Sequence, residues 1–142
     1  MVISDIFINI NLYYSLLYRG AYLVMKKISK KRKKEVIGLT EKIILIGPKK
    51  AKPLMARIDT GATLGSIDKK IAKELKLGPV IRTKLVKSSH GQSDRPVIKA
   101  SIKIGSRRIK AGFTLADRSN LKYKVLIGQN ILKKRFIIDP DK

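Results

Sequence analysis

The sequence predicts a mainly β domain that carries one or two short helices. Apolar and polar residues alternate in several segments, most cleanly at 98–104, as strands with one buried face require. Turn signals such as Gly47-Pro48 separate these segments. One stretch, 66–78, instead has apolar residues at helical spacing. Strands therefore dominate the predicted structure, and helices are a minor part of it.

The strands can be placed in chain order. Residues 80–105 predict a long hairpin, because a polar tip at 88–94 containing Gly91 interrupts two strand-like arms. The return arm buries every second residue from Ile98 to Ile104. The other predicted strands are, in order, 42–47, 53–59, 109–115, 123–128 and 135–139.

The predicted helices are short. In the segment 66–78, Ser66 is expected to cap the helix and Asp68 to lie in its first turn, where a negative charge is favourable. Gly78-Pro79 ends this helix. A helical turn is also predicted at 129–134. The apolar stripe of the first helix consists of Ile67, Ile71, Ala72 and Leu75.

Composition excludes several classes of chemistry. A chain of 142 residues with 44% hydrophobic residues is long enough for one packed domain. It has no cysteine, which excludes disulfides, thiolate nucleophiles and Cys-based zinc sites and fits a reducing cytoplasm. His90 is the only histidine, and no nucleophile-elbow or glycine-rich phosphate motif is present. No metal and no cofactor is therefore predicted.

The chain is strongly basic. It has 33 Lys and Arg against 10 Asp and Glu, which gives a formal net charge of +23. Such an excess attracts polyanions, so nucleic acid or an anionic surface is a candidate partner, and a lysine-rich solvated surface is the alternative. Aromatic residues interleaved with basic ones, which stack on bases, are missing.

The N-terminal segments differ from the rest. Residues 1–25 are apolar and aromatic, but Asp5 and Arg19 interrupt them, so they fit neither a signal peptide nor a membrane span. We expect them to be a leader outside the domain, either a mis-assigned start or a weak membrane anchor of a cytoplasmic protein. Residues 26–34 form a basic tail that is flexible or contacts a polyanion weakly. The domain itself is predicted to occupy 35–142.

A single acidic residue ends one of the predicted strands. Asp59 follows the alternating residues Leu54, Ala56 and Ile58 and opens the sequence Asp-Thr-Gly-Ala at 59–62. An Asp at such a position can form an Asx-type turn before a helix, and it can also be the working carboxylate of an enzyme. The residues of this segment alone leave both interpretations open.

A second motif gives the first one a context. Residues 125–132 read Val-Leu-Ile-Gly-Gln-Asn-Ile-Leu. With Asp-Thr-Gly, this run resembles the retropepsin-like aspartic peptidases, in which a hydrophobic-hydrophobic-Gly segment supports the catalytic loop. The stretches 95–105, 114–132 and 136–140 also look like the archaeal and bacterial domains long labelled "ATP-dependent zinc protease". The resemblance covers about residues 35–140, but the sequence contains no zinc-ligand or ATP motif.

The resemblance implies a closed acid-protease barrel and a role for each motif. Hydroxyl residues after the loop, Thr63 and Ser66, are more widely spaced here than in the family. No mechanism is predicted for Asp117-Arg118, for which an ion pair or a turn is expected. By resemblance, the catalytic group is Asp59, Thr60 and Gly61, and the supporting residues are Ala62, Leu126, Ile127 and Gly128. The flap over the substrate is the hairpin tip Ser89, His90, Gly91 and Gln92; for His90, a plain loop-tip position is the alternative.

The predicted reaction requires a second copy of the chain. Peptide hydrolysis of this kind needs two carboxylates that share a proton, and the chain has one Asp-Thr-Gly only. The second carboxylate must then come from another copy, so a homodimer with a peptide or protein substrate is predicted. The predicted function is an aspartic endopeptidase that acts on peptide or isopeptide bonds. The alternatives are a non-catalytic peptide-binding or protein-binding module on the same fold and a basic nucleic-acid-binding protein.

Overall fold

The computed structural model of the chain describes residues 13–23, 33–89 and 91–142. The chain divides into two compact units, Met1–Lys33 and Lys34–Lys142. Most of the predicted leader 1–25 and basic tail 26–34 lies outside the described residues. In the first unit, helix α1 covers 13–23. Among the described helices, none has both the length and the hydrophobicity needed to cross a membrane.

The second unit is built mainly from strands, as the sequence predicts. Its described part contains nine strands and two short helices. The strands are β1 (Glu35–Ile37), β2 (Thr40–Ile46), β3 (Ala51–Ile58), β4 (Gly65–Asp68), β5 (Val80–Ser88), β6 (Gly91–Ile104), β7 (Arg107–Ala116), β8 (Val125–Ile127) and β9 (Phe136–Ile138). The helices are α2 (Lys69–Glu74) and α3 (Gln129–Leu132).

Six of these strands close into a barrel. They pair in the order β2-β3-β8-β4-β7-β6, and an antiparallel pairing of β2 with β6 joins the two ends. Closure leaves no free edge among these six strands, whereas β5 pairs with β6 alone and extends the sheet. Outside the barrel, β1 and β9 form a parallel two-stranded sheet, with Val36 opposite Ile137.

The core is aliphatic, as the scarcity of aromatic residues requires. The predicted alternation of β6 is confirmed, since Ile98, Ala100, Ile102 and Ile104 are all buried. Phe113 of β7 is the largest fully buried side chain. Successive side chains of a strand point to opposite faces of the sheet, so every second residue of β6 points into the barrel interior and is buried there.

The prediction of one helix over 66–78 is wrong at its start. Residues 65–68 form the strand β4, which lies between β7 and β8 and is buried along its whole length. Ser66 is therefore a strand residue, and the residue that caps α2 is Asp68. A strand covered on both faces has no alternating pattern, so a short apolar run of this kind resembles a helix in the sequence.

Candidate active site

Asp59 lies where the barrel strand β3 ends. The parallel pairing of β3 with β8 continues one residue further, because the Asp59 N–H donates to the carbonyl of Ile127 at 2.9 Å. The Asp59 Oδ1 atom accepts hydrogen bonds from the N–H groups of Gly61 at 3.0 Å and Ala62 at 3.2 Å. Among the residues the structure describes, none hydrogen-bonds to Oδ2. One carboxylate oxygen is thus fixed by the backbone, and the other is left for an external group.

The start of α3 holds the loop that follows Asp59. Gln129 donates its backbone N–H to the Ala62 carbonyl at 2.8 Å and its side-chain amide to the Thr60 carbonyl at 2.8 Å. The Asn130 N–H donates to the Thr63 carbonyl at 3.2 Å. The first residues of a helix have N–H groups without partners inside the helix. Here these groups bind the loop, so the segment after β8 determines the loop conformation.

Gly128 permits this contact. A Cβ atom at Gly128 would lie 2.5 Å from the carbonyl carbon of Leu64, which is closer than real side chains approach a backbone. Gly65 is equally confined, with the Leu126 carbonyl oxygen and the Phe113 ring each 2.7 Å from its virtual Cβ. The loop and the segment 126–128 therefore pack backbone against backbone, and glycine is the residue that allows this. The structure brings Asp59–Ala62 and Leu126–Gly128 together.

Two loop-holding residues were not predicted from the sequence. The Asn130 side chain accepts from the Gly65 N–H at 3.2 Å and donates to the Gly112 carbonyl at 2.9 Å, so it connects the loop to β7. Gln129 holds the Thr60 carbonyl as described above. The available signal was a pair of amide side chains directly after Leu-Ile-Gly, where buried carbonyl and N–H groups of the loop need partners.

Asp59 borders a cavity of about 390 Å³. The walls of this cavity are formed by the loop after Asp59 and by the arms of the hairpin β5–β6. Three cationic side chains, Lys84, Lys87 and Arg95, line it, whereas Asp59 is its one carboxylate among the described residues. A larger depression of about 670 Å³ over β2 and β3 shares none of these lining residues. The cavity with Asp59 is therefore the candidate site, and its wall is positively charged.

The hairpin β5–β6 covers this cavity with its arms. The Lys84 ammonium donates to the Thr63 hydroxyl and so links β5 to the loop after Asp59. At the predicted flap tip, Ser89 and Gln92 are exposed, and Gly91 has a φ of 108°, which glycine adopts most readily. His90 lies outside the described residues. None of the three described tip residues lines the cavity.

Ser66 is a further residue of the cavity wall. Its side chain is only 4% exposed, and the hydroxyl oxygen has no hydrogen-bond partner in the described part of the chain. Buried hydroxyl groups are normally paired, because an unpaired one costs about 1–3 kcal/mol. Since Ser66 lines the cavity, a molecule that enters the cavity can supply the partner.

Asp117 and Arg118 shape the segment that leads into β8. Arg118 is buried, donates its backbone N–H to Asp68 Oδ2 at 2.7 Å and donates its Nε to the Tyr123 carbonyl at 2.9 Å. Burial lowers the pKa of Arg118, as does Arg95, whereas the charges of Asp68 and Asp59 raise it. Asp117 accepts from the Ser119 hydroxyl, which lowers the Asp117 pKa. Arg118 is thus a structural residue that holds the segment leading into β8.

The described residues offer no group of three His, Cys, Asp or Glu side chains that could hold a metal ion. What the geometry provides is one carboxylate, half-fixed by backbone N–H groups, at the wall of a cationic cavity. A closed barrel with an Asp-Thr-Gly loop supported by a Leu-Ile-Gly segment is the arrangement of a retropepsin-like aspartic peptidase.

Comparison with known families leads to the same class. The family described as RimB-like, retropepsin-like aspartic endopeptidase RimB, matches residues 68–142, over half of the chain. The chain therefore belongs to the RimB-like family, and the predicted relationship to retropepsin-like peptidases is confirmed. The matched region includes the supporting segment 126–128 and begins after the Asp59 loop. No curated protein sequence matches the chain.

Two solved structures are similar to this chain. A Legionella pneumophila protein of unknown function (DUF785) has 18% identity and a TM-score of 0.53, over 78% of this chain and 96% of its own. The simian foamy virus protease has 20% identity and a TM-score of 0.49, over 66% of this chain and 90% of its own. At such identities the likeness concerns the fold alone, and the prediction of a retropepsin-like β barrel is confirmed.

Proposed function

We propose that the domain 35–142 is an aspartic endopeptidase that hydrolyses peptide or isopeptide bonds with Asp59 as its catalytic carboxylate. The observation that carries the proposal is the state of this side chain. Oδ1 is held by two backbone N–H groups, Oδ2 has no hydrogen-bond partner among the described residues, and Asp59 lines the cavity. A carboxylate placed in this way can bind a water molecule in a fixed orientation, which general base catalysis requires.

The reaction needs a second carboxylate close to the first. Two such groups a few ångströms apart cannot both ionise easily, so they share one proton and titrate as a pair. The ionised member removes a proton from water, which attacks the carbonyl carbon, while the protonated member donates to the carbonyl oxygen. The tetrahedral intermediate then breaks down. The carboxyl group that took the proton from water donates it to the leaving amine, and the other carboxylate takes back the proton that it gave to the carbonyl oxygen.

A second copy of the chain supplies the missing group in this proposal. Asp59 is the one acid that lines its cavity among the described residues, so the dyad consists of Asp59 and Asp59 of the partner subunit. Exposed apolar residues support self-association: Leu39, 39% exposed, accepts the Ile58 N–H through its carbonyl beside the Asp59 loop. Val36 and Ile137 are a second exposed apolar pair. The exposed Thr60 is proposed to bond across the two-fold axis.

The cavity wall indicates which substrates fit. Lys84, Lys87 and Arg95 place three positive charges around one carboxylate, so acidic side chains of a substrate gain favourable electrostatic energy there. An extended peptide can add its backbone to the hairpin β5–β6, whose strand β5 has a free edge among the described strands. The hairpin tip acts as the flap over such a peptide.

The test is the substitution Asp59→Asn. It keeps the size of the side chain and removes the titratable group, so we expect peptide hydrolysis to fall by about 10²-fold or more while melting temperature and dimer mass stay unchanged. Cleavage of a peptide library that contains acidic and neutral members is measured across pH by mass spectrometry. Asp117→Asn serves as the matched control, because Asp117 is exposed and, among the described residues, accepts hydrogen bonds from Ser119 alone.

Three results would decide against this mechanism. Hydrolysis that survives Asp59→Asn removes Asp59 from the chemistry, and hydrolysis that a chelator abolishes indicates a metal instead. A wild-type chain that binds peptides without cleaving them is a binding module on the peptidase fold.

A further inference from the structure

A second cationic surface lies on the outer face of β6 and β7. Lys99 and Lys103 of β6 and Arg108 and Lys110 of β7 are all exposed. Lys103 is the direct cross-strand partner of Arg108, and Lys110 is the partner of Ser101. Like charges directly opposite each other in a sheet are destabilising. Lys103 and Arg108 therefore repel each other, and an anion bound between them would replace this repulsion with two attractive interactions.

This face borders a groove of about 270 Å³. Four cationic side chains line the groove, namely Lys76, Lys99, Arg108 and Lys110, and no carboxylate does among the described residues. None of the four takes part in an ion pair within that part of the chain. The groove shares no lining residue with the cavity at Asp59. We call it the β6–β7 groove.

We propose that the β6–β7 groove binds the phosphodiester backbone of a nucleic acid. Charge density favours this partner over an acidic peptide. Duplex nucleic acid carries a negative charge about every 1.7 Å, whereas an extended acidic peptide carries at most one about every 3.3 Å. The basic residues at 26–34 add charge of the same sign to the chain. No aromatic side chain among the described residues lines the groove, so the contact is independent of base sequence.

The experiment measures binding of the full chain to a fluorescein-labelled duplex DNA of mixed sequence by anisotropy, over salt concentrations from about 50 to 200 mM. The double variant Arg108→Gln, Lys110→Gln removes two groove charges. The control Lys69→Gln, Lys133→Gln removes two exposed charges outside the groove. For duplex DNA each lost phosphate contact lowers the salt slope by about 0.9, so the groove variant should lose about 1.8 and bind several-fold more weakly.

The controls separate this proposal from net charge and from the peptidase. The groove variant should keep its melting temperature, because it also removes the repulsion between Lys103 and Arg108. Asp59→Asn should bind the duplex DNA as the wild type does. The proposal is overturned if both double variants weaken binding equally, if the wild type does not bind at about 50 mM salt, or if poly-glutamate at equal charge concentration displaces the duplex DNA.

Discussion

Asp68 joins two parts of the molecule that are far apart in sequence. The carboxylate is 3% exposed and accepts three backbone hydrogen bonds. Oδ1 caps α2 by accepting from the N–H groups of Lys70 at 3.0 Å and Ile71 at 3.3 Å. Oδ2 accepts from the Arg118 N–H at 2.7 Å and so fixes the segment that leads into β8. Its removal should therefore loosen a helix and a loop together.

The two contacts have separate costs. Loss of a helix cap costs about 0.5–2 kcal/mol, and a buried N–H left without a partner at Arg118 costs about 1–3 kcal/mol. Asp68→Ala loses both contacts, so we expect the free energy of unfolding to fall by about 2–4 kcal/mol. For a domain of this size that lowers Tm by about 10–25 °C. Asp68→Asn keeps one acceptor oxygen and should lose about half as much.

Thermal and urea unfolding followed by circular dichroism measure these differences. Asp117→Asn is the control, since that exposed carboxylate accepts hydrogen bonds from Ser119 alone among the described residues. This substitution should change stability by less than about 0.5 kcal/mol. Equal losses for Asp68→Asn and Asp68→Ala would show that one of the two contacts contributes nothing. A loss below about 1 kcal/mol for Asp68→Ala would refute the assignment of both.

Two further predictions concern single side chains. Ser66→Ala removes a buried hydroxyl that has no partner among the described residues, so Tm should stay unchanged or rise while the KM for cleaved peptides increases. A lower Tm with unchanged KM would contradict this. Hydrogen bonds from Ser106 and the nearby Arg107 hold the pKa of Glu35 below its ordinary 4.5. Ionised Glu35 stabilises the folded state at pH values above 4.5, and this stabilisation is lost as the pH falls through the lower pKa that Glu35 has in the folded state. The Tm values of wild type and Glu35→Gln should therefore differ at about pH 7 and converge in acid. A difference that persists in acid would exclude the charge of Glu35 as its cause.

Local patterns in the sequence predicted much of the fold. Alternation at Ile98, Ala100, Ile102 and Ile104 predicted a strand with one buried face, and the structure buries all four. This works because strand geometry repeats every two residues and one face of the sheet is exposed. The same reasoning failed for β4, where Ser66 was expected to cap a helix. A short strand between two others is buried on both faces, so its sequence lacks the repeat.

The candidate site was only partly visible in the sequence. Asp59 and the segment Leu126–Gly128 could be predicted by motif, because a carboxylate after an apolar strand and a glycine before a helical turn are local features. The contacts that hold them depend on residues distant in sequence. Asn130 connects the loop to β7, and Lys84 reaches Thr63 from β5. No local pattern encodes such pairs.

The sequence by itself therefore determined the type of fold, the position of the acidic loop and its relationship to a peptidase class. The tertiary structure decided which strands close the barrel, which cations surround Asp59, and that Ser66 is buried in the cavity wall with no hydrogen-bond partner in the described part of the chain. The physical reason is the distance along the sequence between the residues that interact. Strand and turn signals arise from neighbouring residues, whereas barrel closure and cavity walls arise from strand pairings between residues that are distant along the chain.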